Sequence, residues 1–370
     1  MTPELIETPA ALASLCDAMA GQPLLAVDTE FARERTYFPQ IGLIQIASDR
    51  HVACIDPLAL EVRPHLTELL SDPGITKVFH ACPQDLEVLE LTLGKAACPV
   101  FDTQLAHALM HTEHQVSYAR LVNQELNVDL AKSQTRTDWL RRPLTPAQLA
   151  YAADDVRYLL PLRQQQLAEL ETLGRLSWIN EENARACARP ASTEADVSQS
   201  WLRVRGKERL RSQELAVLQA AAGWREQQAI VRDRPRRRIL TDATLIQIAL
   251  VKPRNITALR KIDRIEKCLR LPELDALVES LCTAYEKAGS EWPNPRRQQL
   301  TRTQSAALTK ILELLRSKAA ELGIAAGVLC NRKEAEKLVL GKRDLTVLSG
   351  WRRQCVGSEL LQSLPAEDCT

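Results

Sequence analysis

A chain of 370 residues is long enough to fold two or three domains with cores of their own, and its 45% apolar and 26% charged content is ordinary for a globular protein. No run approaches the roughly 18 apolar residues of a membrane span, and aromatic residues are only 4%, which argues against a single-strand binder built mainly on stacking platforms. The net charge of +1 conceals an asymmetry: residues 1–195 hold 16 Lys and Arg against 26 Asp and Glu, a net of −10, whereas residues 196–370 hold 32 against 21, a net of +11, so the front half is suited to cations and the back half to a polyanion.

In chain order, residues 8–20 read as a helix. The apolar run Pro23-Leu24-Leu25-Ala26-Val27 opens a buried strand over 23–31, with Asp28 and Glu30 two apart at its end. Side chains two apart on a strand share a face, so two carboxylates are aimed side by side. Burying like charges together is costly, and a bound divalent cation is a common remedy. Ile41–Ala47 and His51–Ile55 read as further strands, with Ser48-Asp49-Arg50 as a hairpin turn and thus an antiparallel start to the sheet. Residues 61–71 then read as a helix, Thr76–His80 as a strand, Pro83–Leu93 as a helix, and Val100-Phe101 as an extended piece leading into a helix over 102–110. This alternation predicts parallel strands with helical crossovers, and so an α/β front domain with a mixed sheet. Asp85 falls in the first turn of the helix after His80, where a helix N-terminus favours a carboxylate.

The segment 146–160 carries the clearest helix signals. Thr145 is an N-cap, Pro146 suits the first helical position, Gln148 completes a capping box, and Pro161 should end or kink the helix. Tyr151 and Asp155 are four apart and share a face. Asp154 lies near that face too, and spacing does not choose between the two aspartates. His107, His111 and His114, at i, i+4 and i+7, fit a solvated helix end better than a metal face, because no acidic or cysteine ligand is built into the pattern. Ten cysteines form no CxxC pair and no zinc spacing, and the start Met1-Thr2-Pro3-Glu4 lacks a signal core; reduced thiols in a cytoplasmic protein are the expectation.

Residues 187–200 are small and polar and read as a linker, after which the chain reads as helices, with a second break over 288–295. The pieces on either side of that break match at an offset of 89: Ile239-Leu240 with Val328-Leu329, Asp242 with Asn331 as caps, and Ile256–Leu259 with Leu345–Leu348, which suggests a duplicated helical module. Two basic runs, Arg203, Arg205, Lys207, Arg209 and Arg211, then Arg232, Arg234, Arg236, Arg237 and Arg238, are candidates for phosphate contacts that hold structured RNA while its 3′ tail enters the front domain.

Taken together, Val27-Asp28-Thr29-Glu30-Phe31, His80-Ala81-Cys82-Pro83-Gln84-Asp85-Leu86 and Tyr151-Ala152-Ala153-Asp154-Asp155-Val156 resemble the DEDD exonuclease superfamily, in the branch with tyrosine in its last motif. Their order and spacing, with Gly42-Leu43-Ile44-Gln45-Ile46, are similar to those of the ribonuclease D family in particular. The resemblance covers nearly the whole chain. It implies a ribonuclease H-like nuclease domain at 1–195, followed by two all-α HRDC-type (helicase-and-RNase-D C-terminal) domains at 204–288 and 296–370. It also implies 3′→5′ hydrolysis that releases 5′-mononucleotides from RNA, with tRNA precursors and other small structured RNAs with 3′ extensions as the substrate class. It selects Asp155 as the fourth carboxylate.

Phosphodiester hydrolysis needs an activated water, charge neutralisation at phosphorus and help for the departing 3′ oxygen. Two Mg²⁺ ions about 4 Å apart, or Mn²⁺ in their place, supply all three. The expected roles are Asp28 bridging both ions, Glu30 and Asp155 holding the one that activates water, Asp85 supporting the second, and Tyr151 orienting the water rather than taking its proton. Phe31, Gln45 and His80 are candidate contacts for the terminal nucleotide, and Arg234, Arg236, Arg237 and Arg238 for the RNA backbone. No phosphate-binding loop, dinucleotide fingerprint or G-x-S-x-G elbow is present, so no nucleotide cofactor is expected. Two alternatives are a 3′→5′ exonuclease acting on DNA, though no polymerase domain accompanies it here, and a non-catalytic RNA-binding protein with a decayed nuclease, against which the intact set of five residues argues.

Overall fold

The computed structural model describes residues 3–130, 137–188, 195–263, 265–286, 290, 292–293 and 300–364. The chain forms two compact units, one of residues 1–31, 41–191 and 300–370, the other of 32–40 and 192–299.

The first unit is built on a six-stranded sheet. In chain order its elements are β1 (Glu4–Ile6), α1 (Pro9–Met19), β2 (Leu24–Ala32), β3 (Gln40–Ala47), β4 (Val52–Ile55), α2 (Arg63–Ser71), β5 (Thr76–Phe79), α3 (Pro83–Leu93), β6 (Val100–Asp102), α4 (Thr103–Ala108), α5 (Tyr118–Leu126), α6 (Pro146–Arg157), α7 (Leu159–Thr172) and α8 (Leu176–Cys187). The strand order is β1-β4-β3-β2-β5-β6. β3 and β4 pair antiparallel, with Gln45 opposite Cys54, as the hairpin signal predicts. β5 pairs parallel with β2 and with β6, as the crossovers require. β1, parallel to β4, is an addition: three residues are too few to show an alternation.

The period-2 alternation sorts the sheet's side chains onto two faces. Leu25, Val27, Ile44, Ile46 and Phe79 pack with Leu12, Leu66 and Leu89 of α1, α2 and α3. Ala26, Ala47, Val52, Val78 and Phe101 pack instead with Ala153, Val156 and Leu159 of α6 and α7. The helix expected over 146–160 stops at Arg157, and α7 begins at Leu159 with Pro161 in its first turn. A proline has no N–H and its ring crowds the carbonyl four residues back, here that of Arg157, so the interruption falls a turn ahead of the proline itself.

Two expectations need correction. His107 is buried, with its ring 4.3 Å from that of His111 and its Nδ1 3.6 Å from Glu125, so it is not part of a solvated helix end, whereas His111 is half-buried and His114 exposed. α4 stops at Ala108, so the helical spacing does not carry through to His114. Cys98 and Cys187 are disulfide-bonded, with Cα atoms 6.0 Å apart, rather than both reduced. A pair 89 residues apart leaves no spacing motif; the packing of α8 along β6 brings the two together.

The C-terminal helices α16 (Arg302–Leu322), α17 (Ala326–Leu329), α18 (Arg332–Val339), α19 (Gly350–Arg352) and α20 (Ser358–Gln362) also belong to the first unit. They dock on α8. Trp351 stacks on Trp178 with ring centroids 4.3 Å apart, and its indole N–H donates to Glu182 at 3.0 Å. Both Nη atoms of Arg352 reach the Glu182 carboxylate. Arg175 donates to the carbonyl of Leu322 at 2.6 Å.

The second unit is helical: α9 (Ala195–Gln199), α10 (Ser212–Val231), α11 (Arg236–Ile239), α12 (Asp242–Val251), α13 (Ile256–Leu259), α14 (Ile265–Cys268) and α15 (Leu271–Glu286). Leu218, Ala222, Leu245, Ile248, Leu277 and Leu281 form its core. Of the linker reading over 187–200, residues 189–194 lie outside the described residues, as do most of 288–295. The strap 32–40 joins this unit. Asp233, in the left-handed region at φ 46°, accepts the backbone N–H groups of Tyr37 and Phe38 at 3.0 and 2.9 Å.

A helical pattern recurs along the chain, one residue out of step with the sequence match. α10, α11 and α12 start at 212, 236 and 242; α16, α17 and α18 start at 302, 326 and 332, an offset of 90 throughout. The equivalent caps are Thr241 and Asn331, and the buried pairs Ile239-Leu240 and Leu329-Cys330 fall in register. Asp242, which the offset of 89 aligns with Asn331, is not the cap and pairs with Arg225 at 2.7 Å.

Candidate active site

β2 delivers Asp28 and Glu30 from one face of the sheet, and α6 delivers Asp155 to the same place. A carboxylate oxygen of each lies within 4.8 Å of the others. α6 can do this because its first turn is tightly specified. The Thr145–Gln148 capping box forms in full, and the Gln148 amide also donates to Thr137 at 3.1 Å. Asp154 turns away to pair with Arg157 at 3.0 Å, which separates the two aspartates that spacing alone left open. One turn back along α6, the Tyr151 hydroxyl hydrogen-bonds to Asp155.

Asp85 arrives from α3 and is buried. Its position rests on two residues that the motif reading passes over. Thr29, between the two β2 carboxylates, points to the opposite face by period 2, and its hydroxyl donates to Asp85 Oδ1 at 2.6 Å. Asp102, at the end of β6 and buried, accepts the N–H groups of Ala81 and Cys82, both at 2.9 Å, in the turn that aims α3, and also caps α4. Ala81 sits at φ 62°, a conformation costing an L-residue roughly 1–2 kcal/mol, and the two Asp102 bonds flank it.

A third support lies behind Tyr151, whose ring packs 6.1 Å from Trp139. The Trp139 carbonyl accepts from Arg142, which also grips Asp56 and the Gly42 carbonyl. A Cβ at Gly42 would lie 2.7 Å from the Trp139 oxygen, so the glycine of the Gly42–Ile46 segment is required by close approach of backbone.

The electrostatics match the crowding. Burial, then the neighbouring carboxylates Asp85, Asp155 and Glu30, hold Asp28 protonated well above the usual carboxylate range. Burial, and the charges of Asp155 and Asp85, push Glu30 up to about 8. Burial pushes Asp155 up to about 7 and Asp85 up to about 6. Burial and the charges of Asp155, Glu30 and Asp28 raise Tyr151 far above its ordinary value, so its hydroxyl keeps its proton. Four acids raised by burial, with like charges adding to the rise at Asp28 and Glu30 and offering only oxygen atoms, fit a hard divalent cation, which would offset the cost of ionising them.

Among the other expected contacts, Phe31 lies half-buried at the end of β2. His80 is fully engaged, its Nδ1 with Thr103 at 2.9 Å and its Nε2 with the Val116 carbonyl at 3.0 Å. Gln45 is completely buried within the sheet, and its amide has no hydrogen-bond partner among the described residues. Arg236 spends its guanidinium within the second unit, on buried Glu226 and the Tyr37 hydroxyl. Arg234, Arg237 and Arg238 are exposed.

The mixed sheet and the cluster of carboxylates fit the class of cation-dependent nucleases. Accordingly, the sequence model of the family described as 3′-5′ exonuclease matches residues 3–171, and that of the HRDC domain matches 214–268. The ribonuclease D of Pseudomonas paraeruginosa is 37% identical over 365 residues, 97% of this chain and 96% of that protein. The ribonuclease D of Acidiphilium cryptum is 35% identical over 367 residues, 97% and 92%. A crystal structure of Escherichia coli RNase D, described as an exoribonuclease involved in structured RNA processing, matches with a TM-score of 0.86 at 32% identity, covering 98% of each chain. The chain belongs to the ribonuclease D family of 3′→5′ exoribonucleases, with a ribonuclease H-like nuclease domain, an HRDC domain and a C-terminal helical region. The family implies divalent metal ions and nucleic-acid binding. Among the described residues, no helix is long and apolar enough to cross a membrane.

Proposed function

We propose that the chain trims 3′ extensions from small structured RNAs, tRNA precursors among them, with two Mg²⁺ ions held by Asp28, Glu30, Asp85 and Asp155, releasing 5′-mononucleotides. The observation that carries this reading is the convergence of Asp28, Glu30 and Asp155 oxygens within 4.8 Å, with Asp85 brought alongside by Thr29. When bound, the ions supply Lewis acidity that acidifies water and neutralises charge growing at the phosphate and the departing 3′ oxygen.

Asp28, flanked by all three other acids, would contribute to holding both ions. Glu30 and Asp155 would help to hold the one that acidifies water, and Asp85, held by Thr29 outside the tight trio, would support the other. Tyr151, which keeps its proton and already donates to Asp155, orients the attacking water and does not act as a base.

The exposed Arg234, Arg237 and Arg238 hold the RNA backbone, while Arg236 maintains the strap that bears Tyr37. The helices from 302 to 339 form a second HRDC-like module; the constant offset of 90 and the matching caps support this.

The test is to incubate the protein with a 3′-extended tRNA precursor and a matched DNA oligomer, with and without Mg²⁺. Stepwise 5′-mononucleotide release from the RNA only when metal is present is the expected result. Equal digestion of the DNA would favour the DNA exonuclease instead, and activity in excess chelator would remove the metal roles.

A further inference from the structure

At the opposite end of the parallel strands from the carboxylates, a cavity of about 670 Å³ opens between the first residues of β5 and β6 and the helices α7 and α8. Small-molecule sites are typically about 300–1,000 Å³ and mainly apolar, with a few placed polar groups. Pro99, Phe101, Leu167 and Ala184 supply apolar wall here. The Cys98–Cys187 disulfide closes one side and ties β6 to the end of α8, so the walls are preformed.

Arg163 lines this cavity and stands over the Phe101 ring, 5.3 Å from its centroid. Among the described residues no carboxylate pairs with it, and its Nε is buried without a hydrogen-bond partner. Burial pulls its pKa down, and no acid offsets that. The buried cations elsewhere are provided for: Lys77 by three backbone carbonyls, Arg175 by two, Arg225 by Asp242 and Arg352 by Glu182. A half-buried guanidinium without an anion is costly unless something supplies one. Beside it, Asn183 is buried and its Oδ1 is taken by the Asp102 N–H at 3.2 Å, which leaves its amide NH₂ as a second donor.

We propose that this cavity binds a small organic anion, whose phosphate or carboxylate meets Arg163 and whose flat ring packs on the apolar wall around Phe101 and Leu167. The proposal does not depend on the metal roles assigned above.

Isothermal titration of the full-length protein in excess EDTA, which silences cation-dependent nucleotide binding at the carboxylates, tests it with 5′-AMP, 4-hydroxybenzoate and inorganic phosphate. At least one ring-bearing anion is expected to bind at one site per chain, with inorganic phosphate at least about 10-fold weaker. Which ring-bearing probe binds identifies the anion as phosphate or carboxylate. Arg163→Met should weaken that binding by about 10-fold or more, the usual scale of a lost charged hydrogen bond. Leu167→Trp, which fills the cavity without touching the charge, should weaken it as well. Absence of saturable binding by both ring-bearing anions, or undiminished binding in both folded variants, overturns the proposal.

Discussion

Thr29 and Asp85 are 56 residues apart, and the hydroxyl of the one donates to the carboxylate of the other at 2.6 Å, fastening α3, the crossover helix between β5 and β6, to the strand that carries Asp28 and Glu30. Thr29→Val keeps the volume and removes the donor. A hydrogen bond to a charged group contributes about 1.5–3 kcal/mol, so Mg²⁺ affinity measured by titration calorimetry should fall about 10-fold, and turnover with it. Unchanged affinity would show that Asp85 needs no such anchor.

Tyr151→Phe removes the hydroxyl that donates to Asp155 but none of the carboxylates. Turnover should drop roughly 10²-fold, the scale of a lost positioning donor, with cation affinity retained. Asp28→Asn should abolish both. A Phe variant with full activity would end the water-orienting role.

The acidic cluster makes stability depend on pH in a defined direction. Glu30, Asp155 and Asp85 are raised to about 8, 7 and 6, above their unfolded values near 4. Their contribution is therefore present while they are protonated and is lost as pH rises through those values. In EDTA the melting temperature should fall between about pH 5 and pH 8.5, and saturating Mg²⁺ should restore most of it at the upper end. A metal-free melting temperature that stays flat, or rises, over that window would contradict the clustering.

Glu182 behaves in the opposite sense. Burial alone would raise it, but Arg352 and the Trp351 indole hold it below the usual glutamate range. The resulting stability is present above the unfolded value and is lost as pH falls through the lowered one. Glu182→Gln leaves Arg352 nearly buried without its partner, so chemical denaturation should report a loss of about 3–5 kcal/mol. A loss under about 1 kcal/mol would mean that the Trp178–Trp351 stack holds the C-terminal helices to α8 without help from the ion pair.

Arg237 and Arg238 are exposed, whereas Arg236 is committed to Glu226. Replacing Arg237 and Arg238 together with Gln should weaken tRNA binding and reduce the slope of log affinity against log salt by about 1 for each phosphate that is no longer neutralised. Arg236→Gln should act mainly through stability. An unaltered salt slope in the double variant would take the phosphate-holding role away from this run.

The legible parts were those in which chemistry and period lie close together along the chain. A two-residue spacing on a strand placed Asp28 beside Glu30, and the capping box marked the start of the helix bearing Tyr151 and Asp155, because both are local consequences of backbone geometry. Alternating strands and helices foretold the parallel β2–β5–β6 part of the sheet. The sequence match at an offset of 89 lies one residue from the offset of 90 between the helix starts, since a short apolar match slides more easily along a helix than a cap does.

What the sequence determined by itself was the set of acids, their strand and helix, and the kind of chemistry such acids serve. Tertiary structure alone decided that Asp154 turns to Arg157 while Asp155, which the motif resemblance had selected, faces the cluster, and that Thr29 and Asp102 hold Asp85 in place. It also decided that Gln45 and His107 are interior, that Arg236 is spent on Glu226, and that Cys98 meets Cys187. Each of these depends on residues distant in sequence approaching within a few ångströms, and neither composition nor period records that distance.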